Sequence, residues 1–365
     1  MNANEVIANR ALEHLGLERG RYDVIHPNDH VNASQSTNDA YPTALKIATW
    51  FGIQSLLQAL ASLRGAFEVK ATEFASVLKI GRTQLQDAVP MTLGQEFRTY
   101  SLMIGEDRAR LSESVMLLHE INLGATAIGT MLNAPKGYVP AACKHLGKLT
   151  GLPLVSAVDL IEATQDCGAF VQHSGTLKRV AVKLSKICND LRLLSSGPRA
   201  GFNEINLPAV QAGSSIMPGK VNPVIPEVVN QVAFQIIGMD VTVSMAAEGG
   251  QLQLNAFEPV ICYSLSAGLS RLREAILVLA TRCVDGITAN VELLRAEVEN
   301  SIGLVTALNP YIGYAAATEV AKEALATGRG VAELVLEREL LPREKLESIL
   351  KPETLANLAP NTKKA

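Results

Sequence analysis

Three segments of this 365-residue chain repeat one apolar spacing. Ile53, Leu56, Leu60, Leu63 and Phe67 follow one another at intervals of 3, 4, 3 and 4 residues. Leu177, Val180, Leu184, Ile187, Leu191 and Leu194 carry the same rhythm further, and Phe170 and His173 extend it backwards. Leu269, Leu272, Ile276, Leu279 and Cys283 repeat it again. Such spacing lays one apolar seam along an α-helix and favours packing at shallow angles. The chain is therefore predicted to be all-α, built on a long central helical bundle that association with other copies extends. Composition agrees. Hydrophobic residues make up 48% of the chain but aromatics only 4%, so the core is Leu, Val, Ile and Ala, which suits close-packed helices. No stretch reads as a convincing strand.

The longest seam predicts a helix that starts near Asp159, a good N-cap, and stops at Ser195-Ser196-Gly197-Pro198. At full length it would span about 55 Å. Residues 224–247 are apolar almost all round, as expected of a helix buried on every side of a bundle. After about Asn290 the pattern shortens, and Pro310, Gly328-Arg329-Gly330 and Pro342 punctuate three small helices. Residues 38–290 therefore read as the bundle and 291–365 as a small helical C-terminal domain.

Several function classes are disfavoured. The net charge is −3 without a basic patch, which speaks against nucleic acid. No apolar run approaches the roughly 20 residues of a membrane span, and Glu5, Arg10 and Glu13 spoil the N-terminus as a signal peptide. The five cysteines are odd in number and widely spaced, as in a reducing compartment, so a cytoplasmic location is expected. There is no H-E-x-x-H, no serine nucleophile elbow and no dinucleotide fingerprint. His26 and His30 are four apart, but Pro27 prevents a regular helical pair, so no metal is expected. Gly213 to Lys220 imitates a phosphate loop with one residue too many, and Val221 stands where a magnesium-binding hydroxyl belongs. No cofactor is expected either.

What remains is a set of neutral polar loops: Ser36-Thr37-Asn38, Gly81-Arg82-Thr83-Gln84, and Ser214 to Asn222. Each alone reads as a turn or a helix cap. Together they suit a small dicarboxylate, because hydroxyls, amides and one lysine can hold two carboxylates without a metal. A serine can act as a base toward such a substrate if backbone amides and a cation stabilise its alkoxide.

The stretch Gly213-Ser214-Ser215-Ile216-Met217-Pro218-Gly219-Lys220-Val221-Asn222-Pro223 resembles the signature loop of the aspartase/fumarase superfamily. The likeness extends to Ser34-Gln35-Ser36-Thr37-Asn38-Asp39 and to Gly81-Arg82-Thr83-Gln84-Leu85-Gln86-Asp87, in the family's order. The flanks Val224 to Val232 and Met245 to Asn255, and Gln84 where fumarases carry His, resemble the aspartase branch. The resemblance implies a carbon–nitrogen lyase that converts L-aspartate to fumarate and ammonia, with fumarate hydratase as the alternative activity. It implies a homotetramer with composite active sites. Carried over by position, Ser214 would remove the C3 proton, and Ser36, Thr37 and Ser215 would hold the resulting carboxylate. Lys220, Asn222 and Thr83 would bind the α-carboxylate, while Asn38 and Gln84 would approach the amino group. In this family a Gly-Thr-Ser-x-Asn segment precedes the motif seen at Met1 to Glu5. Residues 1–37 are thus expected to be the remnant of an N-terminal domain, and a helical oligomer with impaired catalysis is a further alternative.

Overall fold

The computed structural model describes residues 1–33 and 35–356, so Ser34 of the first motif and the last nine residues, 357–365, lie outside the described residues. Helix follows helix: α1 (Asn2–His14), α2 (Thr37–Glu73), α3 (Leu93–Ser114), α4 (Tyr138–Thr150), α5 (Gly168–Leu194), α6 (Val224–Glu248) and α7 (Glu258–Arg282). Six shorter helices complete the described chain: α8 (Val291–Asn300), α9 (Leu304–Ile312), α10 (Tyr314–Thr327), α11 (Val331–Glu337), α12 (Arg343–Ile349) and α13 (Pro352–Leu355). The all-α expectation holds. The helix count after Asn290 was too low, because α11 to α13 are only four to seven residues each and leave little periodicity to read.

The chain divides into two compact units. The first comprises residues 1–58, 107–182 and 232–273, and the second 59–106, 183–231 and 274–365. In the first, Leu45, Ile53 and Leu56 of α2 are buried, as are Ile261, Leu265 and Leu269 of α7. Gly52 brings α2 close to α7: a Cβ at that position would sit 2.8 Å from Leu269 Cδ1, so that side chain would have to shift. His173 lies in the seam and is fully buried, with its Nδ1 3.1 Å from Ser114 Oγ. Burial pushes its pKa down to about 4, so it packs as a neutral ring.

In the second unit the scarce aromatics gather. Phe67, Phe97 and Tyr100 lie with ring centroids 5.5–6.1 Å apart, and Phe74 joins Phe97 at 5.3 Å. Edge-on contacts of this kind add to the stabilisation from buried area. A satellite core of Ile80, Val298, Leu304, Leu308, Val320, Leu334, Val335 and Ile349 joins the C-terminal helices to the strand that carries Ile80.

That strand is a correction. Leu78–Thr83 (β1) and Gln86–Thr92 (β2) form an antiparallel hairpin, with Leu78 opposite Thr92 and Thr83 opposite Gln86. Gly81, Pro90 and four charged or amide side chains hide its alternation, and a bulge between Ile80 and Arg82 shifts its register. Four other short pieces form two pairs: β3 (Glu120–Ile121) with β4 (Val155–Ser156), and β5 (Ile205–Asn206) with β6 (Thr288–Ala289).

Two helix expectations also change. α5 ends at Leu194 as expected but begins at Gly168, which shortens it to about 40 Å. Asp159 is a cap, but of the short turn Glu162–Thr164, with its Oδ1 accepting from the amides of Ile161 and Glu162. α6 is not buried on every side. It is long and apolar enough to cross a membrane by length and composition, yet only 33% of its most apolar stretch is buried. Phe234 and Met245 are 61% and 65% exposed. Periodicity reports that a helix face is apolar, but not which molecule covers it.

Candidate active site

Ser36, Thr37 and Asn38 open α2 in the first unit. Ser36 is a true N-cap: its Oγ accepts from the Asn38 amide at 3.1 Å, and Asp39 Oδ1 accepts from the Ser36 amide at 3.0 Å. This reciprocal capping box satisfies donors that a helix start leaves without partners. The other Asp39 oxygen accepts from the amides of Gly124 and Thr126, at 3.1 and 2.9 Å. Asp39 is fully buried, and burial raises its pKa against the pull of those amides. Asn38 is fixed at both ends. Pro42 has no N–H to offer the Asn38 carbonyl one turn back, and the Asn122 side-chain amide donates to that carbonyl instead at 3.0 Å. The Asn38 Nδ2 in turn donates to Ala127 O at 2.7 Å, which leaves its Oδ1 as the end able to accept from a ligand. Thr37 is exposed beside it.

The second unit holds the rest. Thr83 and Gln84 occupy the exposed tip of the β1–β2 hairpin, not a loop. Gln84 and Leu85 both have positive φ, 53° and 62°, the geometry of a two-residue turn usually given to Asn-Gly. Neither residue is a glycine, so the turn holds local strain of the kind that collects at ligand sites.

Ser214, Ser215, Lys220 and Asn222 lie on the segment 207–223 between β5 and α6. Ser214 Oγ accepts from the amides of Ile216 and Met217 at 3.3 and 3.2 Å. The Ser214 amide donates to Lys220 O at 3.0 Å, which closes the loop on itself. Gly213 permits that closure: its φ is +86°, and a Cβ there would lie 2.1 Å from Lys220 O. Ser215 and Lys220 are exposed, as are Ile216 and Met217. Lys220 and Asn222 line a largely polar cavity of about 440 Å³ with Ser195, Asn203 and Asn206. Sequence reading missed these three walls. Ser195 was taken only as a helix stop, and Asn203 and Asn206 stand in a turn-rich run without periodicity. Asn206 Nδ2 donates to Asn290 Oδ1 at 2.8 Å and Asn290 Nδ2 to Asn203 O at 2.6 Å, so the cavity floor is pinned through the start of α8.

His26 and His30 have structural duties. His26 Nδ1 accepts from the amides of Asn28 and Asp29 at 3.2 Å, and His30 Nδ1 from the His26 amide at 2.8 Å. Glu227 sits 3.8 Å from Arg192 as a half-exposed ion pair. Among the described residues, no group of three or more His, Cys, Asp or Glu side chains could hold a metal.

Each unit thus carries groups suited to an anion: hydroxyls at the start of α2 in the first, and in the second a hydroxyl backed by amides and a lysine-lined cavity. Comparison with known proteins agrees. The family described as lyase matches residues 1–238, and the fumarase C C-terminus family matches 304–357. The chain belongs to the aspartase/fumarase superfamily of lyases. It is 59% identical to an aspartate ammonia-lyase of Helicobacter pylori, over 97% of this chain and 76% of the relative. A crystal structure described as fumarate lyase:delta crystallin from Brucella melitensis, bound to cobalt, superposes with a TM-score of 0.95 at 59% identity, over 98% of this chain and 77% of that one. A class II fumarase from Schistosoma mansoni matches with a TM-score of 0.90 at 37% identity, over 97% of this chain and 78% of that one.

Proposed function

We propose that this chain is an aspartate ammonia-lyase, converting L-aspartate to fumarate and ammonia with Ser214 as the base. The two amides directed at Ser214 Oγ carry the mechanistic reading, because they are donors placed where an alkoxide's charge would sit. Ser214 Oγ takes the C3 proton, and the C–H electron pair passes into the adjacent carboxylate as an aci-carboxylate. That pair then forms the C2–C3 double bond as the C2–N bond breaks and the ammonium group departs as ammonia. Ser36, Thr37 and Ser215 hold the aci-carboxylate. Lys220, Asn222 and Thr83 hold the α-carboxylate. Asn38 through its Oδ1 and Gln84 face the amino group. A neutral amide at Gln84, where fumarases carry His, favours an ammonium over a hydroxyl leaving group, and the higher identity to an ammonia-lyase than to a fumarase supports the same choice.

The site is completed in a homotetramer. Support comes from α6, whose exposed Val228, Phe234, Val241 and Met245 form an apolar face too large to leave in water. A second copy suits that face better than lipid. Asp240 on the same helix is buried and accepts from Ser174 Oγ at 2.8 Å and Lys178 Nζ at 2.5 Å, which a bilayer would penalise. Five free cysteines fit a cytoplasmic location. The division into a leading segment, 1–37, a bundle, 38–290, and a C-terminal domain, 291–365, is supported by the satellite core of the last part.

Ultraviolet absorbance of fumarate tests the reading. L-aspartate should be turned over, and Ser214→Ala should lower kcat by about 10²- to 10⁴-fold while light scattering still reports a tetramer. Turnover of malate without turnover of L-aspartate would make the chain a fumarase instead.

A further inference from the structure

We infer that Glu204 is a positioning residue, clamping the hairpin tip Thr83–Gln84 to the segment that leads into the Ser214 loop. This rests on the ammonia-lyase reading above. Glu204 is fully buried just ahead of β5. Its backbone is held on both sides: its amide donates to Leu194 O at 2.8 Å, and its carbonyl accepts from the Asn290 amide at 2.9 Å. Its carboxylate reaches across to β1. Oε1 accepts from Arg82 Nη1, and Oε2 lies 2.7 Å from Lys79 Nζ.

One carboxylate therefore joins two cations of one strand, and the second of them is next in sequence to Thr83. The strand cations are themselves confined. Lys79 is 4% exposed and also meets Glu96, while the Arg82 guanidinium lies 4.3 Å over the Phe202 ring, two residues before Glu204. Arg82 has only longer alternatives, Glu297 at 3.6 Å and Asp87 at 3.9 Å. A planar guanidinium stacked on a ring and paired with a buried carboxylate has little freedom, so the peptide carrying Thr83 inherits the position of Glu204. β5 runs from Glu204 straight into the segment that carries Ser214, Lys220 and Asn222. The two parts of the site that this unit supplies are thus registered through one side chain. Misplacement by about 1 Å can cost about 100-fold in rate.

The test compares Glu204→Gln, which keeps the shape and removes the charge, with the parent enzyme. Two readouts are taken, steady-state kinetics with L-aspartate and amide hydrogen exchange. The expected result is a KM raised about tenfold and a kcat/KM lowered about 100-fold, with faster exchange in both 78–92 and 207–223. Parent values of KM and kcat with parent exchange in those two segments would overturn the inference, even if the melting temperature fell. Should Glu204→Gln not fold, Arg82→Lys takes its place, because it keeps the charge and loses the fork. The same paired exchange gain and KM rise support the clamp, and parent values refute it. If the parent chain turns over malate but not L-aspartate, the ammonia-lyase reading fails, and the exchange data alone still decide the role of Glu204.

Discussion

The start of α2 and the loop that follows β5 are both short, polar and rich in hydroxyls, yet they are held in opposite ways. Around Ser36–Asn38 the local capping box is anchored from outside: Asp39 also accepts from the amides of Gly124 and Thr126, and Asn122 replaces the bond that Pro42 removes. In 213–223 the bonds are internal, from Ser214 to Lys220 and from Ile216 and Met217 to Ser214, and apolar side chains stand exposed. The first arrangement ties the helix start to remote parts of its own unit. The second leaves the loop tied mainly to itself.

Breaking the rigid side should cost stability first. Asp39→Ala removes the partner of three amides, two of them in a buried turn, and should destabilise the fold by about 3–5 kcal/mol, read from denaturant unfolding. If the loss is below about 1 kcal/mol, water or a rearranged turn satisfies those amides, and the distinction between the two regions collapses. Breaking the self-tied loop should cost activity instead. Gly213→Ala places a methyl group in the path of Lys220 O and forces an L-residue to a φ of +86°. Turnover of L-aspartate should fall by about 100-fold, with a stability change of about 1 kcal/mol, the cost of one strained residue. Gly219→Ala is the control: its φ is +81° but nothing lies within 4 Å of the added Cβ, so only the strain remains. Equal losses at the two glycines would mean that backbone conformation, not the close approach, sets the loop.

The same contrast explains what was legible in the sequence. The seams in α2, α5 and α7 could be read because a fixed period records one buried face. The family could be read because its motif segments carry particular side chains in a particular order. The hairpin could not, since Lys79 and Arg82 occupy positions that a strand alternation leaves apolar, and only Glu96 and Glu204, far along the chain, make them tolerable inside. The late start of α5 was hidden for a related reason: Asp159 is a good cap, but spacing alone does not say for which helix. The hairpin miss therefore turns on partners remote in sequence.

The last difference concerns charge. The rigid unit contains an acid that its surroundings disfavour. Glu258, at the start of α7, is 8% exposed, and burial pushes its carboxyl up to about 7, with the Lys46 ammonium on α2 moderating the rise. Lys46 also lies within the field of Glu120, Glu162 and Asp166, and Tyr41 and Cys167 face Glu258 as neutral groups, their own pKa values pushed up to about 12. Because the folded pKa lies above the ordinary 4.5, the folded state binds this proton more tightly than the unfolded chain does. The stabilisation is therefore complete below about pH 4.5 and disappears as pH rises through about 7, by up to about 3 kcal/mol. Glu258→Gln, which imitates the protonated form, should be more stable than the parent by about 1–3 kcal/mol at pH 8 and indistinguishable from it near pH 4.5. Unfolding curves across that range decide it. A Glu258→Gln protein less stable than the parent at pH 8 would mean that the Lys46 pair outweighs desolvation, and that the first unit holds an ion pair there instead of a buried acid.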